Sequence, residues 1–125
     1  MKNIAHWQHT DKIAEGWLII DKLINGVSGG GIFMHPKATM QEIVELARDM
    51  TYKNNLNAIP FGGAKAGIRF DPTNPEAKNI LSDFLLFCRP YLRTQWSTGA
   101  DLNTDSDTID SIIKSIYILL KLTTD

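Results

Sequence analysis

One cysteine, three histidines and no long apolar run set the first limits on this 125-residue chain. The lone Cys88 can form no internal disulfide, which fits a reducing compartment and a cytoplasmic location. It falls within an apolar helical pattern and reads as a small core residue rather than a nucleophile. With His6, His9 and His35 scattered and only Cys88 to join them, no metal-ligand spacing exists, and no metal is expected. No apolar run reaches the ~18 residues needed to cross a bilayer, and the N-terminus lacks the apolar segment of a secretory signal. A net charge of −1 provides no basic face for phosphate, which argues against nucleic acid as the main partner. Charged and apolar fractions are those of an ordinary globular protein, so a single domain over residues 1–125 is expected. It is long enough to bury about two-thirds of its unfolded surface.

Residues 1–14 have little periodicity and read as a short helix or an arm. Gly16 to Ile24 is apolar on both faces except for Asp21 and Lys22, which suits a buried strand. Asn25-Gly26 signals a hairpin turn, with Gly29 to Met34 as the returning strand and Pro36 ending it. Thr39 then caps a helix, with Glu42 placed for a capping box and Ile43, Leu46, Ala47 and Met50 along one face. Residues 58–70 read as a glycine-rich strand. Asn74 and Pro75 open a further helix whose apolar stripe is Ile80, Leu81, Phe84, Leu85 and Cys88, with Pro90 near its end. A last helix is expected from about Asp107 to Leu122. Strands and helices alternate without repeats or linkers, so an α/β fold follows: a mixed, mostly parallel sheet flanked by helices.

The densest chemistry lies between Thr51 and Pro72. Thr51-Tyr52-Lys53-Asn54 is followed six residues later by Pro60-Phe61-Gly62-Gly63-Ala64-Lys65-Ala66-Gly67-Ile68. Lys65 is wrapped by three glycines in an otherwise apolar run. A lysine held among apolar groups loses hydration, its ammonium becomes more acidic, and it can serve as a base near neutrality. The same residue in isolation reads more readily as a surface lysine in a glycine-rich turn. Lys53 reads equally as a cation complementing a helix C-terminus, and Asp101 as a turn or capping residue.

Three blocks, in order, resemble the N-terminal domain of the Glu/Leu/Phe/Val amino-acid dehydrogenases, the glutamate dehydrogenase superfamily. Gly30-Gly31-Ile32-Phe33-Met34-His35-Pro36 resembles a Gly-Gly-(Ile/Thr)-Arg-(Met/Phe/Tyr)-x-Pro block. Met50 to Asn54, Pro60 to Gly67 and Asp71-Pro72 resemble the family's central lysine block. Gly99-Ala100-Asp101-Leu102-Asn103-Thr104 resembles its Ala-x-Asp-(Val/Leu/Met)-Gly-Thr block. The resemblance implies that Lys53 holds the substrate α-carboxylate, Lys65 activates water, and Asp101 exchanges a proton with the amino group. It implies that Gly30, Gly31, Gly62 and Gly63 line the substrate pocket. The implied reaction is oxidative deamination of an L-amino acid to a 2-oxo acid, with hydride passing to NAD or NADP. The implied assembly is a homo-oligomer, a dimer or larger, with a small amino acid or 2-oxo acid as ligand.

Departures from the pattern narrow this. The lysine that glutamate-specific members carry before the Gly-Gly pair, where it binds the side-chain carboxylate, is Gly29 here. The family arginine is Phe33, and the small positions are drifted at Ala66, Gly99 and Asn103. A dedicated glutamate pocket is therefore not expected, and an apolar amino acid, or none, fits the pattern better. Gly26-Val27-Ser28-Gly29-Gly30-Gly31 has neither the spacing nor the following helix of a dinucleotide fingerprint. NAD or NADP is thus expected only through a separate Rossmann-domain partner, and the chain alone is expected to be inactive. Alternatives at this level are a stand-alone, non-catalytic oligomerisation or amino-acid-binding module and a truncated remnant.

Overall fold

The computed structural model describes residues 3–11, 13–92, 94–99 and 104–124, with side chains described as far as Ile116. In chain order the elements are β1 (Asn3–Gln8), β2 (Glu15–Ile20), β3 (Ser28–Gly29), β4 (Ile32–His35), α1 (Met40–Leu56), β5 (Gly62–Arg69), α2 (Ala77–Phe87), α3 (Arg89–Leu92), β6 (Trp96–Ser97) and α4 (Ser106–Thr124). Six strands form one sheet in the order β1-β2-β5-β3-β6, with β4 also paired to β5. The two pairings β1–β2 and β2–β5 are antiparallel, while β3–β5, β4–β5 and β3–β6 are parallel. The expected mixed sheet flanked by helices is what forms, its parallel pairings shorter than its antiparallel ones.

β5 organises the sheet. Along one side it pairs with β2, from Glu15↔Arg69 to Ile20↔Ala64. Along the other it pairs first with β3 at Gly62 and Gly63, then with β4 from Ala66 to Arg69. Side chains alternate along a strand. Ala64, Ala66 and Ile68 therefore face the larger core, with Leu18, Ile20, Ile32, Phe84, Leu85 and Ile109 under α2 and α4. The opposite face meets α1 through Trp17, Ile19, Phe33, Ile43 and Ala47.

α1 starts as expected: the Thr39 hydroxyl accepts the Glu42 N–H at 3.3 Å. Ile43 and Ala47 are buried, with Leu46 and Met50 half-buried. Cys88 is fully buried, and burial pushes its thiol well above the ordinary range, as suits an inert core residue.

Three local expectations are corrected. Residues 3–8 are neither helix nor arm but an edge strand, in register from Asn3↔Ile20 to Gln8↔Glu15. Ala5 and Trp7 turn toward the core while Ile4, His6 and Gln8 are exposed, a period-two pattern too short and too polar to stand out in sequence. The Asn25-Gly26 turn does form, with φ of 56° and 76° and an Ile24↔Val27 bridge. Yet the chain beyond it does not return along β2. It splits into β3 and β4, and β5 inserts between them and β2. Lastly, α2 begins at Ala77 rather than at Pro75. The Asn74 side chain accepts the Glu76 N–H at 2.8 Å, and its carbonyl accepts the Ala77 N–H at 3.0 Å, which makes a turn ahead of the helix.

The seat of α1 depends on missing side chains. A Cβ on Gly63 would run into the Thr51 nitrogen and the Ala47 carbonyl, and one on Gly67 into Ile43 and Phe33. Gly63→Ala should therefore lift α1 from the sheet and cost about 3 kcal/mol by overpacking. Urea unfolding measures this, and a loss below about 0.5 kcal/mol would contradict the close fit.

Candidate active site

Lys65 lies on β5 opposite Ile19, on the α1 face, with Gly63 and Gly67 as its same-face neighbours. It is only 8 % exposed, although it ends in an ammonium. Burial depresses its pKa below the ordinary lysine value, and the charge of Lys53 depresses it further. The two lysines belong to different elements, β5 and α1. Lys53 projects from the last turn of α1 and is exposed.

The backbone beside Lys65 is irregular. Between β3 and β4, Gly30-Gly31 interrupts the ladder alongside Ala64-Lys65, and the Gly31 carbonyl accepts the Ala66 N–H at 3.0 Å. A Cβ on Gly30 would collide with the Ala64 carbonyl, so only glycine allows this approach. The Gly30 carbonyl takes the Trp96 indole N–H at 3.0 Å, and the Gly30 N–H goes to Ser97 at 3.2 Å. Gly62 and Gly63 serve a related purpose: Gly62 meets the Lys22 carbonyl, and Gly63 takes the helix. All four glycines named from sequence thus sit where the backbone packs around the Lys65 strand.

Asp101 lies outside the described residues. On either side of its segment, the Gly99 carbonyl accepts the Ile32 N–H at 3.0 Å and the Thr104 hydroxyl donates to the Ile32 carbonyl at 2.7 Å. Both anchors are therefore on β4, next to the Gly30-Gly31 break.

Two of the drifted positions acquire structural meaning. Phe33, where the family pattern has arginine, is 6 % exposed and packs toward Gly67 and Ile43 as core. A side chain at Gly29 would meet the Phe61 ring, which covers the place a lysine would occupy. Because Gly29 is paired with Gly63, this ring stands on the same sheet face as Lys65. His35 ends β4, paired with Arg69, and its Nδ1 accepts the Lys37 N–H of the following turn at 3.0 Å. Among the described residues no group of His, Cys, Asp and Glu could hold a metal.

The Gly26–Gly31 run passes from a turn into β3 and the break before β4, with no helix N-terminus to receive a pyrophosphate. It does not fit a dinucleotide.

A family model described as Glu/Leu/Phe/Val dehydrogenase, dimerisation domain, matches residues 3–117. The chain belongs to this dehydrogenase family. Within it, the NADP-specific glutamate dehydrogenase of Saccharolobus shibatae is 33% identical over 98 residues, 75% of this chain and 23% of that protein. The glutamate dehydrogenase of Aeropyrum pernix is 37% identical over 75 residues, 58% of this chain and 18% of that protein. The chain thus spans about a quarter or less of the length of these relatives. Among solved structures, the hetero-hexameric glutamate dehydrogenase from Thermus thermophilus in its Leu-bound form superposes with a TM-score of 0.77 at 22% identity, covering 95% of this chain and 31% of that one. The L-tryptophan dehydrogenase from Nostoc punctiforme gives a TM-score of 0.73 at 21% identity, over 92% and 35% of the two chains. These last two establish that the dehydrogenase-family chain has the shared fold.

Sequence reasoning quoted Thr51 and Asn54 without giving them a task, and gave none to Asp21. The structure joins them to the site: Thr51 bonds Asp21 and Gly63, and the buried Asn54 bonds Gly29 and Gly62. One signal was available. Thr51 and Asn54 continue the stripe of Ile43 and Ala47 at helical spacing, so the buried face of α1 turns polar at its end.

A lysine whose pKa is lower in the native state than in the unfolded chain destabilises the fold below its native pKa. Between that value and the unfolded one, near 10.5, the unfolded chain binds more protons, so stability rises with pH and the penalty fades. Lys65→Met should accordingly raise Tm at neutral pH, with the gain shrinking as pH climbs toward 10. A gain that is constant across pH would show that the ammonium carries no such penalty.

Proposed function

We propose that this chain supplies the substrate-binding and subunit-contact domain of an NAD(P)-dependent amino-acid dehydrogenase, which converts an L-amino acid to a 2-oxo acid and ammonia. The observation that carries this reading is a buried Lys65 on a glycine-walled sheet face, its pKa lowered by burial and further by the charge of the exposed Lys53 at the end of α1. An amino acid presents one carboxylate and one amine, and the two lysines divide the work. Lys53, solvated at the end of α1, stays charged and anchors the carboxylate. Lys65, desolvated, spends more of its time as a neutral amine and takes the proton from the attacking water. Asp101, by the family pattern, exchanges the proton of the amino group. NAD or NADP, which accepts the hydride, is held by a separate Rossmann domain.

The wall made by Gly29 and Phe61 offers no cation for a side-chain carboxylate, which favours an apolar amino acid. The edge strand β1, paired only through β2 among the described residues, and the exposed Ile4 support a homo-oligomer. The single, buried Cys88 is in keeping with a reducing, cytoplasmic setting.

Two measurements test these points. Together with a dinucleotide-binding domain, the chain should reduce NAD or NADP in the presence of an apolar L-amino acid. Lys65→Ala should lower that rate by at least the ~100-fold typical of a lost general base, and a folded, assembled pair without turnover would reject catalysis. In the chain alone, leucine or phenylalanine at about 100 times Kd should stabilise by about 2.7 kcal/mol, and glutamate should do less. Stabilisation without turnover would mark a non-catalytic amino-acid-binding module. Light scattering should give a dimer or larger, and a monomer at micromolar concentration would remove the subunit-contact role.

A further inference from the structure

We propose that Asp21, Thr51 and Asn54 are positioning residues that fix the end of α1 on the sheet and so set the separation between Lys53 and Lys65. Three hydrogen bonds close a ring. The Asp21 N–H donates to the Gly63 carbonyl at 2.9 Å, the Gly63 N–H donates to the Thr51 hydroxyl at 3.0 Å, and that hydroxyl donates to the Asp21 carboxylate at 2.7 Å. One turn further along, the Asn54 amide donates to the carbonyls of Gly62 at 3.0 Å and Gly29 at 3.3 Å.

Asn54 is 4 % exposed, so these bonds form away from competing water. Thr51 prevents α1 from sliding along β5, and Asn54 prevents it from rolling, because it spans two strands. Lys53 sits between them in the helix, and Lys65 lies two residues beyond Gly63 in the strand. Each path from one lysine to the other therefore crosses one side-chain hydrogen bond, that of Thr51 to Gly63 or that of Asn54 to Gly62. Helix packing against glycine alone would leave both freedoms open, since Gly63 and Gly67 offer no side chain to interlock. Among described groups named here, the charges facing this corner are Lys53 from α1 and Asp21 from the end of β2.

The test, resting as it does on the reading of Lys53 and Lys65 as one site, needs no turnover. The chain is reductively methylated with formaldehyde and cyanoborohydride from pH 6 to 10, and each lysine is followed by mass spectrometry. Lys65 should reach half its plateau rate at lower pH than the exposed Lys37 and Lys78. Lys53→Met should move that midpoint up, slowing Lys65 near neutrality on the order of threefold as the neighbouring charge is lost. Thr51→Val should move it the same way, Thr51→Ser should restore the wild-type profile, and Thr51→Val should add nothing to Lys53→Met. Asn54→Leu serves as an independent variant should Thr51→Val lose its native circular dichroism, and it should shift Lys65 in the same direction. If Lys53→Met shifts Lys65 while folded Thr51→Val or Asn54→Leu does not, the positioning role is overturned and the shared site stands. If Lys53→Met leaves Lys65 unmoved, the shared site itself falls.

Discussion

Helix α1 lies directly on the backbone of β5, and the rest of the site follows from that contact. At Gly63 and Gly67 there is no side chain to hold the helix away, so its axis comes close enough for Thr51 to bond a strand amide. Between those glycines, on the same face, stands Lys65. A long cationic side chain in a gap bounded by a helix, a strand and small residues has little access to water, so its ammonium is disfavoured. The last turn of the same helix then brings a second cation near the first. Tight backbone packing, normally a means of stabilising a fold, here creates the electrostatic state of one amine.

The topology explains why the elements that build this corner are remote in sequence. β5 enters the sheet between β2 and the β3–β4 pair, although those strands are joined by a tight turn at Asn25-Gly26. The insertion places Asp21, at the end of β2, and Gly29, in β3, on either side of Gly62-Gly63. α1 bridges both flanks, with Thr51 reaching one and Asn54 the other. Parallel strands β3 and β4, laid end to end against β5, leave the Gly30-Gly31 break beside Lys65. The Gly30 backbone there bonds Ser97 and the Trp96 indole, and the Gly31 carbonyl accepts from Ala66.

Much of this was legible in the chain before any coordinates. Thr39 and Glu42 mark the start of α1, the Ile43–Ala47 spacing its buried face, and the run from Gly62 to Ile68 a strand of small residues around a lysine. What escaped were pairings. Asn25-Gly26 specifies a turn but not which strand lies beside its arms, because local φ preferences carry no information about an insertion from elsewhere. The β1 strand escaped because an edge strand's stability comes from ladder hydrogen bonds with β2 rather than from its own apolar content. The tasks of Thr51 and Asn54 escaped because hydroxyl and amide side chains on a helix face are read as surface until a partner strand is known.

The drifted positions bear on chemistry through packing rather than through charge alone. Replacing a cation by Phe33 fills the space over Gly67 with an apolar ring that contacts Ile43, which tightens the α1 interface on the side of Lys65 away from Thr51. Phe61, standing over Gly29, closes the opposite end of the same face. Lys65 is therefore bracketed along the strand by Phe33 and Phe61, on a face shared with Trp17, Ile19, Ile43 and Ala47 and polar at the Thr51–Asn54 end. Apolar brackets lower the local dielectric, which deepens the desolvation of the amine and strengthens the repulsion from Lys53 at the same time. Both effects push the pKa of Lys65 in one direction, and neither requires the charged residues that Gly29 and Phe33 have displaced. The corner is thus set by packing, and it stands without a cation at either Gly29 or Phe33.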